Sequence, residues 1–345
     1  MKPLIIHALG IVLTYDCDVV CDHCCNGIPD QENNPPPTWE KCKTIIDRVA
    51  DLGFLRSLGI TGGEPILHYE LLKRVYAYAK REYNISSSLN TNCNWAVSDT
   101  ITEDVLSQLK DAGLSVIGLS VDKYHQKSIS IEKINRVIDV SYRLGLKVVV
   151  QTITSNHKWD LAYTKKILGK RAEMCYEFHD SPVTPRGNAA SRIPTSELPY
   201  RKELGRGCSV FSIINVDMSG DVVFCCGSVP KQSLKLFGGN IFYDDLSKLF
   251  TKMAYNPILN SLYVEQGPKK LMEISDKYLH STFCSGEYTS VCHACISMIE
   301  SDYIIPLMEY LQTNSTGYFL QRQLLDFLRR KKNKQNQITN ENSKN

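Results

Sequence analysis

The strongest constraint on this chain is a rhythm in its first half, where short β-branched or apolar runs alternate with amphipathic helical patterns. Strand-like runs cover 8–14, 56–61, 85–91, 115–121, 146–153 and 173–179. Helical spacing covers 38–52, 69–82, 102–112, 131–144 and 160–170. Thr38 follows Pro35-Pro36-Pro37 and is placed to cap the first helix, which Gly53 ends. Thr102 is placed to cap the third, with Glu103 and Asp104 in its first turn. In the fourth, Ile131, Ile134, Ile138 and Tyr142 share one face and should meet the core; Gly145 ends it. Six alternating units predict an α/β fold with a parallel sheet covered by helices.

Cys17, Cys21 and Cys24 form a C-x3-C-x2-C array just after the first strand. Three thiolates can hold three irons of a [4Fe–4S] cluster and leave the fourth open to a substrate or cofactor. Cys25, directly adjacent to Cys24, is a poor fourth ligand. A zinc site is the alternative, and His23 inside the array could supply one of its ligands.

Thr61-Gly62-Gly63-Glu64-Pro65 follows the second strand. The two glycines let backbone approach a ligand closely, and Glu64 can accept charge-assisted hydrogen bonds from an ammonium group. Asn92 follows strand three; Ser120, Asp122 and His125 follow strand four. All these residues fall at the C-terminal ends of strands, the rim where chemistry collects in barrels of this kind. Ser120 and Asp122 could instead merely end the strand and cap the next turn.

The array and the Gly-Gly-Glu motif together resemble the radical S-adenosylmethionine (SAM) superfamily. The resemblance implies a partial (β/α)6 TIM-like barrel in which the open iron chelates SAM and Gly62, Gly63 and Glu64 bind its amino group. It also implies contacts from Asn92, and from Ser120 and Asp122 to the SAM ribose or the substrate. The reduced cluster then cleaves SAM to a 5′-deoxyadenosyl radical. The family commonly has Thr/Ser-Asn-Gly where this chain has Thr91-Asn92-Cys93, so the local backbone is expected to differ.

Beyond Pro185-Arg186-Gly187-Asn188, a stretch rich in Ser, Pro and Arg reads as a linker. Residues 211–225 read as a hairpin turning at Asp217–Gly220. Cys208, Cys225 and the pair Cys292/Cys295 make four ligands, enough to close a second cluster; four zinc ligands are the alternative. The pattern resembles the twitch form of the SPASM domain, which implies one auxiliary [4Fe–4S] cluster. In an extended strand neighbouring side chains face opposite ways, so Cys226 would face away from the cluster that Cys225 binds. A thiol there could donate a hydrogen atom; it could also be a buried structural cysteine.

Cys21-Asp22-His23-Cys24-Cys25, Asp122-Lys123-Tyr124-His125, Cys225-Cys226 and the late C-x2-C narrow the resemblance to the epipeptide peptide epimerases. This implies Cα hydrogen abstraction from an L-residue of a ribosomally made peptide and hydrogen return from Cys226. The implied partners are a precursor peptide and an electron donor such as flavodoxin or ferredoxin. Thioether or carbon–carbon crosslinking, sugar or aminocyclitol chemistry, and a non-catalytic iron–sulfur carrier are the rival readings. Cys284 has no assigned role; Cys42 and Cys175 read as core residues.

The 345 residues suffice for about two domains. The expected division is a core at 1–190, a twitch/SPASM-like domain at 200–300, a helical segment at 301–328 and a disordered basic tail at 329–345. Net charge is only +3, and the tail carries six Lys or Arg against Glu341, which argues against a nucleic-acid-binding body. No run of 18 unbroken apolar residues suggests a membrane span. Thirteen cysteines in a chain this long fit iron–sulfur chemistry in a reducing cytoplasm better than a disulfide framework.

Overall fold

The computed structural model describes residues 7–26, 35–53, 55–156, 159–204, 213–223, 225, 238–264 and 267–314. Cys208, Cys226 and the basic tail lie outside the described residues, as does the helical segment beyond 314.

The expected alternation is present. Strands β1 (Ala8–Thr14), β2 (Ser57–Gly62), β3 (Ser86–Thr91), β4 (Leu114–Ser120), β5 (Lys147–Thr154) and β6 (Glu177–Pro182) pair in parallel, each with the next. Helices α1 (Trp39–Ala50), α2 (Tyr69–Tyr83), α3 (Asp99–Ala112), α4 (Ile131–Leu144) and α5 (Leu161–Leu168) make the crossovers. The architecture is a partial (β/α)6 barrel. Leu9, Ile11 and Leu13 of β1 are fully buried, as are Ile45, Ile46 and Val49 of α1. Burying a side chain of this kind contributes roughly 1.5–3 kcal/mol, and the resulting core fixes the rim on which the loops sit.

The Thr38 hydroxyl caps α1 by accepting from the Lys41 amide. Three local expectations fail. The cap of α3 is Ser98, whose side chain accepts from Ile101 N; Thr102 is buried inside the helix and donates back to the Ser98 carbonyl. Tyr142 is 61% exposed. The buried stripe of α4 is Ile134, Val137, Ile138, Val140 and Ser141, and Tyr142 lies about 100° round the helix from Ser141. The last strand starts at Glu177, because Gly169–Met174 forms a 3-10 turn that Arg171 anchors to Asp139 with two hydrogen bonds of 2.7 and 2.8 Å.

The segment read as a linker is folded. Asn188–Arg192 forms α6, and Ala189, Ile193 and Leu198 bury against Tyr124 and Val183 in a small second core. The hairpin forms as β7 (Ile213–Asp217) and β8 (Asp221–Val223), with Gly220 in the turn at φ +86°. Strand β7 lies parallel to β1, and β9 (Gly239–Asn240) follows β8, so nine described strands share one sheet. Strand β8 covers Asp221–Val223, and Cys225 is described outside any strand; the expected facing of Cys226 falls outside the described residues.

Helices α7 (Leu246–Ala254), α8 (Pro257–Val264), α9 (Lys269–Leu279), α10 (Val291–Ile299) and α11 (Ile304–Asn314) complete the described elements. Of the helical segment expected at 301–328, the described part holds α11, which follows α10 after a break at 300–303. No single described helix is long and apolar enough to cross a membrane.

Candidate active site

The sheet brings the array and the Gly-Gly-Glu motif together through backbone contact. Gly63 N donates to the Thr14 carbonyl and Glu64 N to the Asp16 carbonyl, both at 2.8 Å. A Cβ on Gly62 would stand 2.2 Å from the Thr14 oxygen, and one on Gly63 would stand 2.0 Å from the Asp16 oxygen. The glycines therefore admit the loop that leads into Cys17. This is a protein contact, and a different use of glycine from the ligand approach expected from the sequence.

Glu64 is buried. Its carboxylate accepts from Asn92 N at 2.7 Å, from the Thr91 hydroxyl at 2.9 Å and from Ile66 N at 3.1 Å. Burial pushes its pKa up to about 7, against the lowering effect of those three donors. Thr91 holds the group together, since its hydroxyl also accepts from Cys93 N and from the Trp95 indole. Cys93 takes φ +68°, the left-handed conformation that a glycine would adopt easily, so the turn survives the Cys93 replacement.

Asn92 connects this carboxylate to the array. Its Nδ2 donates to Asp18 Oδ1 at 2.9 Å and lies 3.8 Å from Cys17 Sγ. Asn94 Nδ2 donates to the other Asp18 oxygen at 2.8 Å. The far side of the cysteine loop is held by α6: Asn188 N donates to the Cys24 carbonyl at 2.9 Å and Asn188 Nδ2 to the Cys21 carbonyl at 3.0 Å. Gly187, at φ +57°, sets up this approach.

A third group lies behind Cys21. The sulfur of Cys21 and ring nitrogens of His23 and His125 lie within 4.8 Å of one another. Asp122 is fully buried and accepts from Tyr124 N, His125 N and His125 Nδ1, the last at 2.8 Å. Burial opposes the His125 cation, but Asp122 outweighs it and raises the pKa to about 10. Burial pulls His23 down to about 4, and its Nδ1 finds no partner among the described residues. His23 stacks on Tyr124 with ring centres 4.9 Å apart.

All the first-half candidates lie on the C-terminal rim. Ser120 ends β4 half-buried, opposite Gln151 of β5. Of the second cysteine set, the Cys225 carbonyl accepts from Asn215 Nδ2 at 2.6 Å, and Cys292 and Cys295 sit on α10, which Ser290 caps. Cys284 occupies a 3-10 turn, where its amide donates to Asp276. Cys42 is fully buried; Cys175 is half-buried.

The residues present fit a cluster and an ammonium-bearing cofactor. Three thiols come from one loop, an amide points at one of them, and a buried carboxylate stands beside the loop. Residues 11–160 match the model of the Radical SAM superfamily. They form a radical SAM domain. The match agrees with the similarity to GTP 3',8-cyclase of Clostridium botulinum, 26% identical over 153 residues, and to a probable GTP 3',8-cyclase of Pyrococcus abyssi, 28% identical over 169. These alignments cover 42% and 44% of this chain and 46% and 51% of the relatives, so the chain spans about half the length of the curated relatives it matches.

Solved structures show the same α/β fold for the radical SAM domain. Streptococcus suis SuiB bound to precursor peptide SuiA superposes with a TM-score of 0.53 at 14% identity, covering 75% of this chain and 67% of SuiB. BtrN in complex with AdoMet and 2-DOIA gives 0.50 at 16% identity, covering 76% and 89%. anSMEcpe with bound AdoMet gives 0.51 at 14%, covering 89% and 99%.

Thr91, Asp18 and Asn188 were not singled out from the sequence. Thr91 and Asp18 each adjoin a motif residue, which is a usable signal. Asn188 has none, because its two hydrogen bonds join segments far apart in the chain.

Proposed function

We propose that this protein is a radical SAM enzyme that converts L- to D-residues in a ribosomally made peptide. The observation that carries the radical SAM part is the continuous hydrogen-bonded path from Cys17 through Asn92 to the buried Glu64 carboxylate. Cys17, Cys21 and Cys24 would hold a [4Fe–4S] cluster. When bound, that cluster and SAM supply a carbon radical able to take an unactivated hydrogen atom. Glu64 would accept the SAM ammonium, with Thr91 and Asn92 fixing the carboxylate's direction. Ser120 faces the same rim and would line the ribose or substrate side. Asp122 would act there through His125, since its own oxygens serve the loop and the ring.

Cys208, Cys225, Cys292 and Cys295 would bind one auxiliary cluster in a twitch/SPASM-like domain after residue 200, and Cys226 would return hydrogen to the peptide radical. The likeness to SuiB supports a peptide reading to the extent that a protein of this fold can hold a precursor peptide. A flavodoxin or ferredoxin would deliver the electron in a cytoplasmic setting.

Reconstituted, reduced protein should release 5′-deoxyadenosine from SAM, and its absence removes the radical reading. With a candidate precursor peptide in D2O, one deuterium should enter each epimerised residue, and Cys226→Ala should abolish the D-residue. A product two hydrogens lighter points to crosslinking or dehydrogenation and sinks the hydrogen-donor role. GTP, offered in the same assay because of the curated relatives, should remain unconsumed; its conversion would replace the peptide reading.

A further inference from the structure

Asn90 of β3 and Gln151 of β5 meet across β4, with Gln151 Nε2 donating to Asn90 Oδ1 at 3.4 Å. Their neighbours along the strands, Leu89 and Val150, are buried in the core that Val75, Leu106 and Ile134 of the helices complete. Successive strand residues face opposite ways, so Asn90 and Gln151 point into the barrel. Asn90 is exposed there and Gln151 is half-buried. Gly118 of β4 makes the meeting possible, since a Cβ on it would stand 2.2 Å from Asn90 Oδ1. The pair lies just inside the rim. Thr91, next along β3, gives its hydroxyl to Glu64, and Ser120 at the end of β4 is the register partner of Gln151.

Joined in this way, the two amides use one carbonyl and one N–H. Asn90 Nδ2 and Gln151 Oε1 find no further partner among the described residues. Exchanging O and N in both side chains leaves the same offer, a neutral donor beside a neutral acceptor. The complement is a neutral acceptor beside a neutral donor. One residue of an extended peptide presents that pattern, because its own N–H and C=O point to the same side, as they do in the hydrogen-bonded pairs of a sheet.

We propose that Asn90 and Gln151 are specificity-determining residues that bind one extended residue of the peptide substrate, Asn90 giving a hydrogen bond to its C=O and Gln151 taking one from its N–H. The inference rests on the peptide reading given above. A residue held by both groups has its Cα fixed between them, whatever its side chain, at a set depth below the proposed SAM site.

The test is ligand-observed saturation-transfer NMR on the reconstituted full chain. The probe is N-acetylalanine N-methylamide; its isostere is O-acetyl-lactic acid N-methylamide, in which an oxygen replaces the N–H of that one residue. The amide should bind about three- to tenfold more tightly than the ester, the effect of one neutral hydrogen bond. Asn90→Asp keeps the size of the side chain and loses the donor, and should weaken the amide probe by a similar factor. Gln151→Ala should make the two probes bind alike. Ser86→Ala, at the opposite end of β3, should change neither value. Equal binding of both probes to wild type overturns the inference, as does a preference for the amide that survives Gln151→Ala. GTP that displaces the probe from wild type and binds Asn90→Asp less tightly assigns the pair to a nucleobase and also overturns it. Binding is read without turnover, so these outcomes leave release of 5′-deoxyadenosine and formation of the D-residue to be judged separately. A wild type that converts GTP in place of peptide removes the peptide reading and the inference with it.

Discussion

The backbone amide of Asn92 donates to the Glu64 carboxylate at 2.7 Å, while the Asn92 side chain reaches Asp18 and Cys17. One residue at the end of β3 thus joins the loop after β2 to the loop after β1. A carboxylate buried among neutral donors would be costly by itself, and a cation bound beside it offsets that cost.

This produces a pH signature in the metal-free, cofactor-free protein. The Glu64 pKa is raised from its ordinary value of 4.5 to about 7 by burial. The folded state therefore holds a proton that the unfolded state has lost between those values, and stability should fall as pH rises from about 4.5 to 7, then level off. The effect should reach about 3 kcal/mol at most. Urea unfolding of wild type and Glu64→Gln across this window checks it, and the variant should lack the slope.

Thr91→Val keeps the shape of the side chain and removes the hydroxyl that serves Glu64, Cys93 and Trp95. Leaving buried donors unpaired costs about 1–3 kcal/mol. Denaturation midpoints should drop accordingly, SAM binding by calorimetry should weaken, and Thr91→Ser should behave nearly as wild type.

Gly63→Ala pushes a methyl group against the Asp16 carbonyl, which is backbone and cannot swing aside. Overpacking of this kind costs about 1–3 kcal/mol. The displaced loop should lose iron at the N-terminal site more than the protein loses helical circular dichroism. Full iron occupancy in this variant would show that the close approach of the two loops is dispensable.

Asn188→Ala removes the side-chain bond to the Cys21 carbonyl and leaves the backbone bond to Cys24. The loss should be about 1 kcal/mol, with faster cluster breakdown in air followed by the decay of visible absorption. A decay rate equal to wild type would make α6 a mere neighbour of the loop.

Gly10→Ala tests a longer reach. A Cβ there would stand on the Asn215 side chain, whose Nδ2 holds the Cys225 carbonyl. Asn215 must turn away, so iron bound by the second cysteine set should fall while the N-terminal site keeps its own.

The motifs were legible because their meaning is local. Three cysteines at fixed spacing and a Gly-Gly-Glu turn after an apolar run say what they can bind before anything is folded, and the β/α rhythm says which rim they share. The phase of a helix was less legible: Ile134 and Ile138 marked the right side of α4, but the sheet beneath centres the stripe on Ser141 and leaves Tyr142 outside. A capping residue was misplaced for a related reason, since Ser98 and Thr102 are equally good candidates until the chain shows where α3 begins.

By itself, then, the sequence determined the chemistry on offer and the order of the barrel's strands, because ligand spacing and hydrophobic period are properties of neighbouring residues. Tertiary structure alone decided which partner each group meets. It turned the glycines toward the Thr14 and Asp16 carbonyls, folded a supposed linker into a clamp on Cys21 and Cys24, and set His125 between Asp122 and Cys21. Those contacts depend on loops packed from separate strands, and no local pattern encodes the direction in which a buried side chain finds its partner.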